Sequence, residues 1–339
     1  MRYVRLGKTN LMVSPFCLGT MMFGGKTAPQ KKFWGKADKP EAVKMIHTAI
    51  DGGVNFIDTA DIYTGGQSEE IVGEALRDGK RDGIVLATKA GMKTADDING
   101  EGISRFHIMR ALENSLKRMG TDYVDLFYIH WPTKGMNLEE MMRTLDDLER
   151  QGKIRYAACS NFPAWLACKC QWIADSHDQI GFVAGQYPYN IIERGIETEI
   201  LPFAKAEGMG VCIYRPLAIG TLTGKYLGET RDEARGKDDQ RVQGWQEKYE
   251  EGVQKLVEFA KDKGVNAADI ANAWVVSHPA VTAAIVGVSR MEQLEANLKG
   301  FEIELTPEER ETITGFFPTA QWEESGGTVH DWQRSYEIL

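Results

Sequence analysis

Four side chains in the N-terminal half of the chain have types suited to acid–base chemistry: Asp58, Tyr63, Lys89 and His130. A tyrosine, with a pKa near ~10, is a weak acid at neutral pH unless a neighbouring cation stabilises its phenolate. Lys89 could supply that charge, and Asp58 could pair with Lys89 and fix its position. His130 could hydrogen-bond a substrate oxygen and orient it. Such a set would hand a proton to an oxygen that becomes an alkoxide, the need that arises when a carbonyl is reduced. Asp58 and Tyr63 are five residues apart, so a short turn could bring both to one place. Singly, each has a bland alternative: Asp58 as an Asx turn, Lys89 as a solvated loop residue, His130 as a capping or core histidine. The chemistry depends on whether the fold delivers them together.

The runs that end in these residues read as strands buried on both faces. They are NFID (55–58), DGIVLATK (82–89) and YVDLFYIH (123–130). Comparable runs are SPFCLGT (14–20), IRYAACS (154–160), GFVAGQYPYN (181–190), VCIYRPLA (211–218) and TAAIVGVS (282–289). Helical patterns lie between most of them, at 41–53, 68–76, 107–120, 138–152, 164–177 and 199–208, then 248–263, 267–277 and 291–299. Ser68 is the expected N-cap of the second. Alternation of this kind demands a parallel sheet. Eight units fit a closed (β/α)8 TIM barrel, an α/β fold, better than an open sheet, and no GxGxxG follows the first strand. The expectation is one domain over 1–339, with its core at about 14–310 and a tail over 311–339. Residues 2–13 predict an N-terminal hairpin cap, and 228–247, without apolar periodicity, a long insert or loop.

The active site of such a barrel lies at the C-terminal strand ends. Asp58, Lys89 and His130 would occupy three consecutive ends. Ser160 and Asn161 close the fifth strand, Gln186 lies in the sixth, and Tyr214 and Arg215 close the seventh. Jointly they are hard to explain as coincidence.

Composition bounds the rest. The 339 residues are 42% apolar and 26% charged, ordinary for a globular chain able to bury a large core. A net charge of −9 argues against a nucleic-acid or anionic-membrane surface. No run approaches the ~20 apolar residues of a membrane span, and the first ten residues lack a signal-peptide core, so a cytoplasmic protein is expected. The five cysteines, Cys17, Cys159, Cys168, Cys170 and Cys212, show no CxxC and read as reduced thiols. No cluster has metal-ligand spacing.

The chain resembles the aldo-keto reductase superfamily from about residue 3 to 310. NFIDTADIYTGGQSEEIVGEAL (55–76) is similar to that family's first signature, ATKAG (87–91) to its lysine segment and DLFYIHWP (125–132) to its histidine segment. YAACSNF (156–162) resembles the SNF motif, and IVGVSRMEQLEANL (285–298) the segment that grips the adenosine phosphate. With PLAIGTLTGKY (216–226), the pattern most resembles bacterial reductases related to potassium-channel β-subunits.

The resemblance implies that Tyr63 is the general acid of an NADP-dependent oxidoreductase that reduces a small-molecule aldehyde or ketone. It assigns Ser160, Asn161 and Gln186 to the nicotinamide carboxamide and Tyr214 to stacking beneath the ring. Leu217, Gly220, Leu222 and Lys225 would wrap the pyrophosphate, with Gly19, Thr20, Arg215, Pro216 and Gly287 also lining the cofactor. Ser289, Arg290, Gln293 and Asn297 would read the adenosine end. A guanidinium matches a 2′-phosphate and has no comparable partner on a bare ribose, so Arg290 favours NADPH over NADH. Position 296, acidic in many members, is Ala296 here.

Phe23, Trp34 and Trp131 are the substrate-facing candidates, the first two in a long aromatic loop at 21–35. Phe316, Phe317, Trp322 and Trp332 could fold over the mouth or dock on a partner. A homo-oligomer is allowed. The rival readings are a cofactor-keeping regulatory or redox-sensing subunit, and a barrel isomerase or aldolase. The second would leave SNF and VGVSR without a purpose.

Overall fold

The structure is a computed structural model that describes residues 1–25, 36–227 and 239–318. A short antiparallel hairpin, β1 (Val4–Arg5) and β2 (Met12–Val13), precedes the first barrel strand, β3 (Phe16–Gly19). The chain then runs α1 (Lys39–Asp51), β4 (Phe56–Asp58), α2 (Gln67–Ala75), β5 (Val85–Ala90), α3 (Arg105–Met119) and β6 (Val124–Ile129). Next come α4 (Leu138–Arg150), β7 (Ile154–Ser160), α5 (Ala164–Ser176), β8 (Phe182–Pro188), α6 (Ile200–Glu207) and β9 (Gly210–Tyr214). The last turn of the barrel is α7 (Gln240–Asp262), α8 (Ala267–Val276), β10 (Ala283–Gly287), α9 (Met291–Gly300) and α10 (Pro307–Gly315).

The eight strands from β3 to β10 close into a parallel barrel, β10 pairing with both β9 and β3. This is the predicted (β/α)8 architecture. Its inner layer packs Cys17, Phe56, Val85, Leu126, Tyr128, Ala184, Cys212 and Ile285, and a larger layer lies between strands and helices. α4 shows why the helices sit where they do. Met141, Met142, Leu145 and Leu148 are buried at helical spacing, and the Asn137 side chain caps the first turn. The hairpin closes the N-terminal end of the barrel: the Lys8 N–H donates to Gly208 O, and Leu6 and Val13 join the inner layer. It therefore forms a floor at the end opposite the catalytic candidates. Four cysteines are buried and Cys168 is exposed. Among the described residues no helix is long and apolar enough to cross a membrane.

Three local expectations are corrected. Ser68 is not the cap of α2. That position belongs to Gly66 at φ 94°, while the Ser68 hydroxyl turns inward to donate to Thr20 O at 2.9 Å. Part of the 228–247 stretch is helical, because Asp239 caps α7 and Val242 and Tyr249 bury one face; residues 228–238 lie outside the described residues. Packing also continues past residue 310, since Ile313 and Phe317 are buried and Phe317 sits against Tyr249 of α7. Phe316 meets Phe259 on the same helix, while Trp322 and Trp332 lie outside the described residues.

The helices that flank β4 and β5 approach closely at a glycine. A Cβ on Gly73 of α2 would sit 2.4 Å from Met119 O of α3. Gly73→Ala should lower stability by roughly 1–3 kcal/mol, the usual cost of overpacking. Urea denaturation should show the midpoint falling at unchanged slope. An unmoved midpoint would mean that the two helices separate without cost.

Candidate active site

The ends of β4, β5 and β6 bring the four acid–base candidates together. Lys89, in the fully buried strand β5, has no exposed surface. Its Nζ donates to Asp58 Oδ1 at 2.5 Å, to Thr59 O at 2.8 Å and to Tyr63 Oη at 3.2 Å. The second carboxylate oxygen of Asp58 accepts from Gln186 Nε2 at 2.9 Å. Tyr63 opens a tight turn over Tyr63–Gly66 in which Thr64 and Gly65 adopt left-handed backbone. That turn folds the phenol back over the strand tips. The His130 ring stands edge-on to Tyr63 with centroids 6.1 Å apart.

Burial dominates the electrostatics here. It opposes the charge on Lys89, but the attraction of Asp58 and Tyr63 outweighs it and holds the ammonium above its usual range. Burial also lifts the Asp58 carboxyl, with Lys89 and Gln186 pulling it back. It raises the Tyr63 phenol as well, and the pull of Lys89 recovers only part of that rise. Tyr63 thus holds its proton at neutral pH, as an acid must. Burial, then the Lys89 charge, push His130 well below the usual imidazole range, so its ring is neutral. Its Nδ1 is buried and has no hydrogen-bond partner among the described residues.

A cavity of about 1680 Å³ runs from these groups across the strand ends. Gly19, Thr20, Asp58, Tyr63, His130 and Trp131 line the end nearest them. Ser160, Asn161, Gln186, Tyr214, Arg215, Pro216 and Leu217 follow, then Gly220, Lys225, Gly287, Ser289, Arg290, Gln293 and Asn297. One hydrogen-bond chain ties the first part to the second: Tyr214 Oη donates to Asn161 Oδ1 at 2.8 Å, and Asn161 Nδ2 donates to His130 O at 3.1 Å. Asn161 at φ 63°, Arg215 at φ 61° and Ile219 at φ 57° hold left-handed backbone, which costs non-glycine residues energy and clusters at functional sites. Gly220 leaves room for a cation, because a Cβ there would lie 2.5 Å from Lys225 Nζ.

These features fit a long anionic ligand such as a dinucleotide. Arg215 Nη1 is buried without a partner among the described residues. Arg290, exposed at the N-cap of α9, forms no ion pair among the described residues, and a helix N-terminus is a poor place for an unneutralised cation. Arg241 at the start of α7 also lines the cavity, paired with Asp239 at 2.7 Å. Its sequence signal lies in Asp239 as a cap followed by Val242, Trp245 and Tyr249 at helical spacing.

Some expected residues lie elsewhere. Phe23 has no exposed surface and packs in the outer core, because its backbone pairs with Ala37 and its carbonyl accepts from Thr64 Oγ1. Leu222 is likewise fully buried and packs in the core beneath the 216–226 segment. Trp34 lies outside the described residues. Lys89 does not line the cavity; its Nζ lies behind Asp58 and Tyr63, both of which do.

The family model described as "Aldo/keto reductase family" matches residues 15–317. An "Uncharacterized oxidoreductase YrpG" of Bacillus subtilis is 35% identical over 328 residues, covering 94% of this chain and 96% of the relative. A "Probable voltage-gated potassium channel subunit beta" of Arabidopsis thaliana is 33% identical over 311 residues, 89% of this chain and 92% of the relative. A "Norsolorinic acid reductase B" of Dothistroma septosporum is 33% identical over 329 residues, 94% and 82% of the two chains.

Asp61, two residues before the tyrosine, is 3% exposed, and both its carboxyl oxygens lack a hydrogen-bond partner among the described residues. Burial, then Glu69, push its carboxyl well above the usual range, Arg118 acting against them. A carboxyl raised in the folded state stabilises that state fully below its unfolded pKa of about 3.9, and the contribution is lost as pH rises toward the folded value. Asparagine cannot titrate. Asp61→Asn should therefore gain stability relative to wild type as pH rises from about 4 to about 8, by roughly 1–3 kcal/mol at the upper end. Urea unfolding across that range checks it, and a difference independent of pH would contradict the burial of an unpaired carboxyl.

Proposed function

The chain belongs to the aldo/keto reductase family, and from that premise we propose that it reduces an aldehyde or ketone to an alcohol with NADPH. The observation that carries the reading is the buried Lys89 ammonium, placed 2.5 Å from Asp58 and 3.2 Å from the Tyr63 phenol. The bound cofactor would supply the hydride. Every other requirement falls to the protein.

Tyr63 gives its proton to the substrate oxygen, and the adjacent ammonium stabilises the phenolate left behind. Asp58 holds Lys89 in place, while Thr59 O and Gln186 hold the pair. Neutral His130 donates an N–H to the same substrate oxygen and orients it. In the oxidative direction Tyr63 takes the proton back.

Ser160, Asn161 and Gln186 would hold the carboxamide, and the Tyr214 ring would lie against the nicotinamide. Arg215, Pro216, Leu217, Gly220 and Lys225 would hold the pyrophosphate, and Ser289, Arg290, Gln293 and Asn297 the phosphorylated adenosine. Arg290, without an ion pair among the described residues, supports NADPH over NADH. Trp131, beside His130 on the cavity wall, is the residue best placed to meet substrate.

Fluorescence titration with both nucleotides, followed by carbonyl-dependent oxidation of the bound form, tests the whole reading. Tight binding without oxidation across a broad carbonyl panel would favour a cofactor-keeping regulatory subunit; the Arabidopsis thaliana relative is named as a potassium channel subunit. Tyr63→Phe should bind NADPH with nearly wild-type affinity and lose turnover by roughly 10²-fold or more. Turnover above a tenth of wild type would mean that another group is the acid. Arg290→Ala should weaken NADPH by about tenfold or more, the scale of a hydrogen-bonded charge, and NADH far less. Equal weakening of both would refute the 2′-phosphate role.

A further inference from the structure

On the outside of the barrel, α5 turns Leu166, Cys170 and Ile173 inward and leaves a second face to solvent. That face consists of Trp165, Cys168, Lys169, Trp172, Asp175 and Ser176, which recur at steps of three and four residues and so lie together. Trp165 is 39% exposed and Trp172 is 65% exposed. Among the described residues α5 is the only helix that exposes two large apolar side chains. The exposed Cys168, a small hydrophobe in packing terms, lies between them. One exposed apolar side chain needs no explanation, but two tryptophans within two turns of a helix make a patch, and such patches mark contact surfaces.

The charges on this face identify what fits it. Lys169 precedes Trp172 by three residues and Asp175 follows it by three. Both are exposed, and neither forms an ion pair among the described residues. A copy of α5 laid antiparallel about Trp172 exchanges these two positions, so each lysine comes level with the aspartate of the other chain. A parallel copy in the same register would set like charge against like. Contact about a two-fold axis demands this self-complementarity, residue i meeting j while j meets i. A strongly acidic or basic partner would match one of the two charges and repel the other. A net charge of −9 disfavours an anionic membrane.

We propose that α5 docks a second copy of this chain, the two helices antiparallel about a two-fold axis at Trp172. Trp172 of one copy packs on Trp172 of the other, and Lys169 of each pairs with Asp175 of its counterpart. Tryptophans bury about 150–250 Å² each, so the four of them supply the apolar centre of the contact. An interface built around one helix stands at the small end of the specific range, and its dimer exchanges with monomer. None of these residues lines the cavity, so the inference stands apart from the cofactor reading.

Analytical ultracentrifugation of the full chain tests this. The weight-average mass should climb from one chain toward two through roughly 1–100 µM, as for a small interface. Trp172→Lys should raise the dissociation constant by about 30-fold or more, the scale of a central aromatic anchor. Lys169→Asp and Asp175→Lys each set like charges opposite one another, and each alone should raise it by roughly tenfold. An equimolar mixture of those two variants should recover the wild-type value to within about threefold, because the mixed pair restores both ion pairs. The substituted side chains are exposed, and thermal unfolding checks that each variant keeps its fold. A chain that stays monomeric to about 200 µM would overturn the proposal. So would a dimer indifferent to Trp172→Lys, or single variants whose mixture does not recover, which would assign the face to some other occupant.

Discussion

A buried ammonium governs this structure. Lys89 has no exposed surface, and an unpaired charge in such a place would cost several kcal/mol. It is sustained because Asp58, Thr59 O and Tyr63 converge on Nζ from one loop. That convergence requires β4 and β5 to be adjacent and in register, with Asp58 opposite Ala87. It also requires the left-handed turn after Asp61 that folds Tyr63 back over the strand ends. Further out, Thr88 donates to Glu69, and Glu69 pairs with Arg118, so α2 and α3 brace the strand that carries the lysine. The geometry of the acid–base candidates and the local stability of the barrel share the same atoms.

The far half of the cavity is built on a different principle. Two of its cations are displayed with little to neutralise them, while Arg241 pairs with Asp239. Arg215 and Arg290 form no ion pair among the described residues, where side chains of this type usually find carboxylates, and strained backbone at Asn161, Arg215 and Ile219 keeps the wall in place. A protein gains no stability from such an arrangement, which is the one a polyanionic ligand would need.

Much of this was legible in the chain itself. The eight strands stand out because strands buried on both faces are nearly continuous apolar runs, and the four acid–base residues stand out because each follows such a run. What stayed hidden depended on contacts between distant residues. Ser68 has the type of a helix cap, but Thr20, forty-eight positions earlier, draws its hydroxyl inward and leaves the cap to Gly66. Phe23 looks like a lid residue until pairing with Ala37 turns it into the core. The phenol of Tyr63 carries the same lesson: proximity to Lys89 can be read from motif spacing, whereas the larger effect of desolvation needs the packed surroundings.

The floor of the barrel has a consequence for how the molecule is made. Lys8 bonds to Gly208, and β3 completes its pairing only with β10, the last strand among the described residues. A chain emerging from the ribosome therefore carries its first barrel strand with one edge open until almost everything else has been synthesised. Asp58, Tyr63, Lys89 and His130 all lie in the N-terminal half, while Arg215, Lys225, Arg241 and Arg290 follow in the other. Contacts of such long sequence separation slow folding and leave strand edges exposed in the meantime. The order of translation thus sets the wall of acid–base candidates early and most of the cationic wall last, and the two face one cavity only when the cylinder closes.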